Sequence, residues 1–141
     1  MRAVIQVARD ASVSVDGQVI GAYEGLGLMV LLGVTHTDGK AEIERVARKI
    51  AQLRILPDER SAEEEGAPIL LISQFTLYGD TRKGRRPTWS KAAPGDVAEP
   101  IYEAVADEIR RYGLTVEQGR FGAMMDVSFT NVGPCTILIE A

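Results

Sequence analysis

Nine consecutive residues, Leu26 to Val34, carry no polar side chain. A run of that kind is what a central strand buried on both faces needs, and it fixes the middle of the fold. The segments around it supply the cover. Arg2 to Arg9 alternates around Val4, Ile5 and Val7 and reads as a strand. Ser12 to Val15 and Gln18 to Ile20 flank Asp16-Gly17, a strong short hairpin signal, and a two-residue loop there sets Val13 opposite Ile20.

Two segments have helical periodicity instead. Ile43, Val46, Ala47, Ile50 and Leu53 share one face of a helix, with Asp38 as its expected cap. A second helix is expected from about Asp96 to Tyr112, with Val97, Ile101, Val105 and Ile109 turned to the core. Gly113 stops it, and Pro100 falls in its first turn, where proline costs less. Pro68 to Phe75, Leu114 to Glu117, Met125 to Thr130 and Cys135 to Ile139 complete the strands. The order of strands, helix, strand, helix, strands indicates an α+β fold, a mostly antiparallel sheet or partial barrel with two main helices. With 141 residues the chain suits one domain, residues 1–141.

Familiar chemistry is scarce. His36 is the single histidine and follows a strand in a turn, where no nucleophile is paired with it; Cys135 opens an apolar strand and reads as an inert thiol. One histidine and one cysteine cannot close a zinc site, Glu63-Glu64-Glu65 reads as a solvated acidic loop, and no phosphate-binding glycine fingerprint occurs. No metal and no cofactor are expected. Neither a secretory signal nor a membrane-length apolar run is found, so a cytoplasmic protein is the expectation.

The net charge of −4 argues against wholesale binding of nucleic acid, but Gly79 to Lys91 carries five basic residues and one acid. Arg82, Lys83, Arg85 and Arg86 in that stretch can grip one part of a polyanion; the plainer reading is a solvated loop.

Two further segments decide the matter together. Ser73-Gln74-Phe75-Thr76-Leu77 ends a buried strand where apolar residues give way to polar ones, and its hydroxyls, amide and freed backbone N–H groups suit an oxyanion. Asn131-Val132-Gly133-Pro134-Cys135-Thr136 reads as a turn between two C-terminal strands. The pair resembles the signature motifs of the D-aminoacyl-tRNA deacylase family. The likeness extends through Val4-Ile5-Gln6, Ala11-Ser12-Val13, Leu32-Gly33-Val34, Lys83-Gly84, Arg86-Pro87 and Gly119-Arg120-Phe121. There are two departures: Val7 follows Gln6 where the family commonly has a basic residue that helps hold the Gly-Pro turn, and Pro57 to Pro68 is shorter than in many members.

The resemblance implies a homodimeric hydrolase of the same fold that cleaves the ester of D-aminoacyl-tRNA, and of glycyl-tRNA mischarged on the tRNA for alanine. It implies that Gly133-Pro134 carries a cis bond and acts in the partner subunit's site as a wall against L side chains. Backbone N–H groups of Phe75 and Thr76 would hold the oxyanion. Ser73, Gln74 and Met125 would contact substrate, Arg82, Lys83, Arg85 and Arg86 the acceptor stem, and the 2′-hydroxyl of the terminal adenosine would assist the attacking water. Thr76 as a covalent nucleophile remains an alternative. So do an L-alanyl-tRNA editing enzyme of the same fold and a non-catalytic RNA-binding module.

Overall fold

The computed structural model describes residues 1–141. Its elements are β1 (Arg2–Val15), β2 (Gln18–Ala22), β3 (Leu26–Gly33), α1 (Lys40–Gln52), α2 (Ala62–Glu65), β4 (Ile69–Ser73), α3 (Gly95–Arg110), β5 (Val116–Gln118) and β6 (Asp126–Glu140). The sheet runs β2-β1-β3-β4-β5, and β6 also pairs with β1.

β1 organises the sheet because it serves three neighbours. Arg2 to Arg9 pairs with β3, Ser12 to Val15 pairs with β2, and β6 follows along the other edge, all antiparallel. The two strands expected for residues 2–9 and 12–15 are therefore one strand, bent where the β1–β6 register shifts between Arg9 and Ser12. Asp10 takes a positive φ of 56° at the bend, and its carboxylate accepts the Gly25 N–H at 2.8 Å. The hairpin turn is at Asp16-Gly17, both with positive φ. Its register differs from the expectation: a bulge between Val13 and Ser14 sets Val13 opposite Gly21, not Ile20.

Three of the five strand pairings are antiparallel. The β3–β4 and β4–β5 pairings are parallel, since α1 and α3 each carry the chain back to the start of the next strand. The sheet curls until β2 approaches β5, making a nearly closed barrel. A Cβ on Gly21 would lie 2.7 Å from the Gln118 carbonyl oxygen, so this closure depends on a residue without a side chain.

β3 is buried on both faces as its composition demands. Leu28, Val30 and Leu32 join the main core beneath α1 and α3, together with Ile5, Ile50, Leu71, Tyr102 and Ile109. Met29 faces the barrel interior with Ala8, Val13, Tyr23, Leu70 and Ile72.

Both expected helices form, with corrections. Gly39, not Asp38, caps α1, and Glu42 Oε2 accepts the Gly39 N–H at 2.8 Å. Asp38 instead accepts from the Met1 amino group at 2.7 Å and from the Thr35 N–H at 2.8 Å. In α3 the core face is Ala98, Tyr102, Val105, Ala106 and Ile109, while Val97 is 41% exposed. Pro100 is the sixth residue of α3, beyond the first turn. Residues 63–65 lie in the short helix α2 and not in a loop. No helix is long and apolar enough to cross a membrane.

The largest correction is at the C-terminus. The two expected strands are one, β6, and Asn131 to Thr136 is not a hairpin corner. Asn131 pairs with Ala8 and Thr136 with Gln6, so four residues, Val132 to Cys135, stand opposite the single residue Val7. They leave the ladder sideways, and the Gly133–Pro134 bond at the tip is cis.

Candidate active site

β4 ends where the sheet's bonding pattern runs out. The Gln74 N–H still donates to the Leu32 carbonyl at 2.7 Å, and the chain then tightens into a 3₁₀ turn, Phe75–Tyr78. The turn's last N–H groups are used, with Leu77 donating to Gln74 O at 3.2 Å and Gly79 to Thr76 O at 2.9 Å. The N–H groups of Phe75 and Thr76 have no acceptor in the chain, as expected at the start of a helical turn.

The turn is held from behind. Arg2 Nη1 donates to the Leu77 carbonyl at 3.0 Å, and the Arg2 guanidinium sits 4.7 Å above the Tyr78 ring. Gly33, the last residue of β3, lets the turn approach closely. A Cβ there would lie 3.0 Å from Gln74 O and 3.1 Å from Leu77 Cβ.

This segment forms one side of a cleft of about 590 Å³, between the end of β4, the start of α3 and residues 121–125. Ser73, Gln74, Phe75 and Met125 line it; Thr76 does not. Among the lining residues the one titratable side chain is Tyr102. Its hydroxyl donates to the Leu71 carbonyl at 2.7 Å, and burial pushes its pKa up to about 12, so it stays neutral. The cleft therefore presents apolar surface, a hydroxyl, an amide and Phe75, whose unused N–H is followed in the chain by that of Thr76.

The other candidates fall elsewhere. Thr76 is exposed, and its hydroxyl accepts from Gln74 Nε2 at 2.5 Å, a partner that cannot take a proton from it. His36 Nε2 lies 2.7 Å from the Ser90 carbonyl, outside the cleft. The carbonyl of half-buried Cys135 accepts from Gln6. No group of three or more His, Cys, Asp or Glu residues is placed to hold a metal ion.

Gly133 and Pro134 are exposed and take no part in their own chain's cleft; a Cβ on Gly133 would meet nothing within 4 Å. The excursion is nonetheless anchored. Gln6, only 5% exposed, places Nε2 at 2.5 Å from Asn131 Oδ1 and 3.1 Å from the Cys135 carbonyl, and its Oε1 accepts from the Thr136 hydroxyl. One amide thus ties both ends of the excursion. Gln6 was legible only as part of a motif; the available signal was a polar residue on an otherwise apolar strand.

The basic stretch is an ordered loop. Asp80 and Thr88 exchange two backbone bonds, 2.8 and 3.0 Å, across its base. The Asp80 carboxylate takes hydrogen bonds from Arg82, the shortest 2.5 Å, and lies 3.6 Å from Lys91. These partners, Arg82 first, hold its carboxyl well below the usual carboxylate range. Arg82 is thus engaged inside the loop, whereas Lys83, Arg85 and Arg86 are exposed and in no ion pair.

Residues 4–140 match the D-Tyr-tRNA(Tyr) deacylase family. The chain is 64% identical, over 141 residues and the full length of both proteins, to a D-aminoacyl-tRNA deacylase of Kineococcus radiotolerans. A solved structure described as c-Myc DNA Unwinding Element Binding Protein superposes with a TM-score of 0.91 at 39% identity, covering 100% of this chain and 99% of that one. A probable eukaryotic D-amino acid tRNA deacylase shares the fold at a TM-score of 0.85 and 18% identity, covering 98% and 97%. With the family match running from residue 4 to residue 140 and a full-length relative 64% identical, this chain belongs to the D-Tyr-tRNA(Tyr) deacylase family.

Proposed function

We propose that residues 1–141 act as one deacylase domain, hydrolysing the ester bond of D-aminoacyl-tRNA and releasing free tRNA and a D-amino acid. The observation that carries this reading is the pair of unused N–H groups on Phe75 and Thr76, beside a cleft without a side chain that titrates near neutral pH. Such donors suit the oxyanion of a tetrahedral intermediate. Water attacks the ester carbon, the carbonyl electrons move onto that oxygen, and the 2′-hydroxyl of the terminal adenosine guides the water's proton. Collapse returns the electrons to the carbonyl, breaks the ester C–O bond and expels the 3′-oxygen of the ribose. That oxygen takes up the proton lost by the water and leaves as the 3′-hydroxyl. Ser73, Gln74 and Met125 hold the substrate. Thr76 is not the nucleophile, since no base stands within reach of its hydroxyl.

Chirality is set by Gly133-Pro134 working in the partner subunit of a homodimer. A Cβ on Gly133, at the tip, would meet nothing of its own chain within 4 Å. β6 pairs through one edge only, and Leu138 on it is 72% exposed, which supports a second copy as its cover. A backbone wall rejects an L side chain by clash, which discriminates better than attraction for a D side chain. Glycine, with no side chain to reject, passes the same wall, so glycyl-tRNA mischarged on the tRNA for alanine is a second substrate. We place the protein in the cytoplasm, where its substrate is made.

The test is hydrolysis of D- and L-tyrosyl-tRNA by the purified protein. Release of tyrosine from the D substrate with the L substrate spared is expected. Preference for the L substrate would assign the fold to L editing, and binding without hydrolysis of either would leave an RNA-binding module.

The free cations of the loop contact acceptor-stem phosphates. Arg85→Ala combined with Arg86→Ala is expected to lower the salt dependence of tRNA binding by a slope of about 0.7–0.9 per lost contact, with the D-to-L ratio unchanged. Arg82→Ala should lower that slope less, because Arg82 is spent on Asp80. Unchanged affinity of the double variant at low salt would make the loop mere solvated surface.

A further inference from the structure

Of the six large apolar side chains left exposed, Phe75, Trp89 and Met124 all line one cleft, whereas Val19, Val97 and Leu138 lie apart from it. Clustered exposed apolar groups mark a binding surface. The aromatic pair within this cluster is unusually well fixed. Trp89 packs directly on Gly79, where a Cβ would come within 2.7 Å of the indole ring. Phe75 meets Trp89 edge-on, with ring centroids 5.4 Å apart and planes at 72°. The backbone on either side is tied down: Thr88 bonds to Asp80, and the Ala92 N–H donates to the Trp89 carbonyl at 3.0 Å. Even so, Trp89 remains 44% exposed.

Its position supplies the chemistry of the occupant. Trp89 directly follows the loop that presents Lys83, Arg85 and Arg86, and it also lines the cleft. A fixed aromatic face between free cations and a cleft suits a single nucleic-acid strand, whose bases stack while its phosphates meet the charges. We infer that Trp89, set by Gly79 and Phe75, is a stacking platform for the nucleobase of the penultimate nucleotide of the tRNA, next to the one bearing the ester. A cleft of about 590 Å³ is on the scale of one small ligand. The esterified nucleoside and its amino acid fill it, so the base met at the mouth is the preceding one. Because Trp89 is already ordered, stacking on it costs little entropy. This inference rests on reading the cleft as the deacylase site.

Trp89 is the one tryptophan of the chain, so intrinsic fluorescence reports on it directly. The probe is the uncharged RNA trinucleotide CCA, compared with the same trinucleotide carrying an abasic middle ribose. The expected result is quenching by CCA, with the abasic probe quenching less and binding about tenfold more weakly, in the range of one lost base–aromatic stack. In kinetics, Trp89→Ala should raise KM for D-tyrosyl-tRNA by a similar factor, leave kcat and the D-to-L ratio near wild type, and be largely rescued by Trp89→Phe. Equal quenching by the abasic probe, or by D-tyrosine methyl ester alone, would overturn the platform; both measurements use wild-type protein and need no folded variant. A protein that cleaves D-tyrosyl-tRNA without Trp89 quenching refutes this inference alone. Quenching by CCA without any hydrolysis would sink the deacylase reading and leave the platform standing.

Discussion

Gly133→Ala is expected to lower hydrolysis of D-tyrosyl-tRNA about a hundredfold, the scale of loss that a misplacement near 1 Å can cause, without weakening the fold. Within its own subunit the added methyl group meets nothing within 4 Å, and Gly133 does not have the positive φ that excludes alanine. A change with so little local consequence should leave stability within about 0.5 kcal/mol of wild type. If the tip of the excursion is the wall beside the α-carbon of a substrate in the partner, that methyl group occupies the substrate's space. Intact stability with lost activity then locates the cause in the other subunit's cleft. Measured together, thermal unfolding and the single-turnover rate separate the possibilities. A variant as active as wild type would show that the tip does not approach substrate, and the chiral wall would have to be sought elsewhere.

The excursion also shows where reading by sequence stops. Asn131 to Thr136 carries Gly before Pro, a local signal for a turn, and a turn was expected. What makes it a sideways departure from a continuous strand is Gln6, whose amide holds both ends from 125 and 129 residues away in sequence. Local periodicity carries no information about that contact. By contrast, Leu26 to Val34 and the apolar face of α1 were legible, because burial on two faces and on one helical stripe each leave a period in the composition. The hairpin turn was legible and its register was not, since the bulge between Val13 and Ser14 answers to the curvature of the barrel. Asp38 illustrates the same limit: it has the right type and place for a helix cap, yet the Met1 amino group claims it. At the cleft, Ser73 to Phe75 could be singled out as a polar break at a strand end. That Thr76 does not line it, that Arg82 is engaged by Asp80, and that Trp89 borders the cleft are facts of three-dimensional packing.

The other large effect is expected at Gly33, which touches no substrate. A Cβ there would lie 3.0 Å from the Gln74 carbonyl oxygen, 3.1 Å from Leu77 Cβ and 3.3 Å from the Tyr78 ring. The first neighbour is backbone and the third is pinned beneath Arg2, so neither can swing aside. The 3₁₀ turn must move by a few tenths of an ångström, and the N–H groups of Phe75 and Thr76 move with it. Overpacking of this kind costs about 1–3 kcal/mol of stability. Misaimed oxyanion donors cost more in rate, with kcat expected to fall about 10²–10³-fold. KM should change less than kcat, since the cations of the basic loop lie outside the turn. Undiminished kcat in folded Gly33→Ala protein would remove the turn's N–H groups from the mechanism. Combined with Gly133→Ala, the variant also tests the arrangement in trans. If the wall acts in trans, the Gly133→Ala subunit of a mixed dimer keeps an intact cleft and receives an intact wall from its Gly33→Ala partner. Co-refolding equal amounts of the two inactive proteins should therefore restore about a quarter of the wild-type rate, half of the dimers being mixed and each having one complete site. A wall acting within its own subunit predicts no recovery at all.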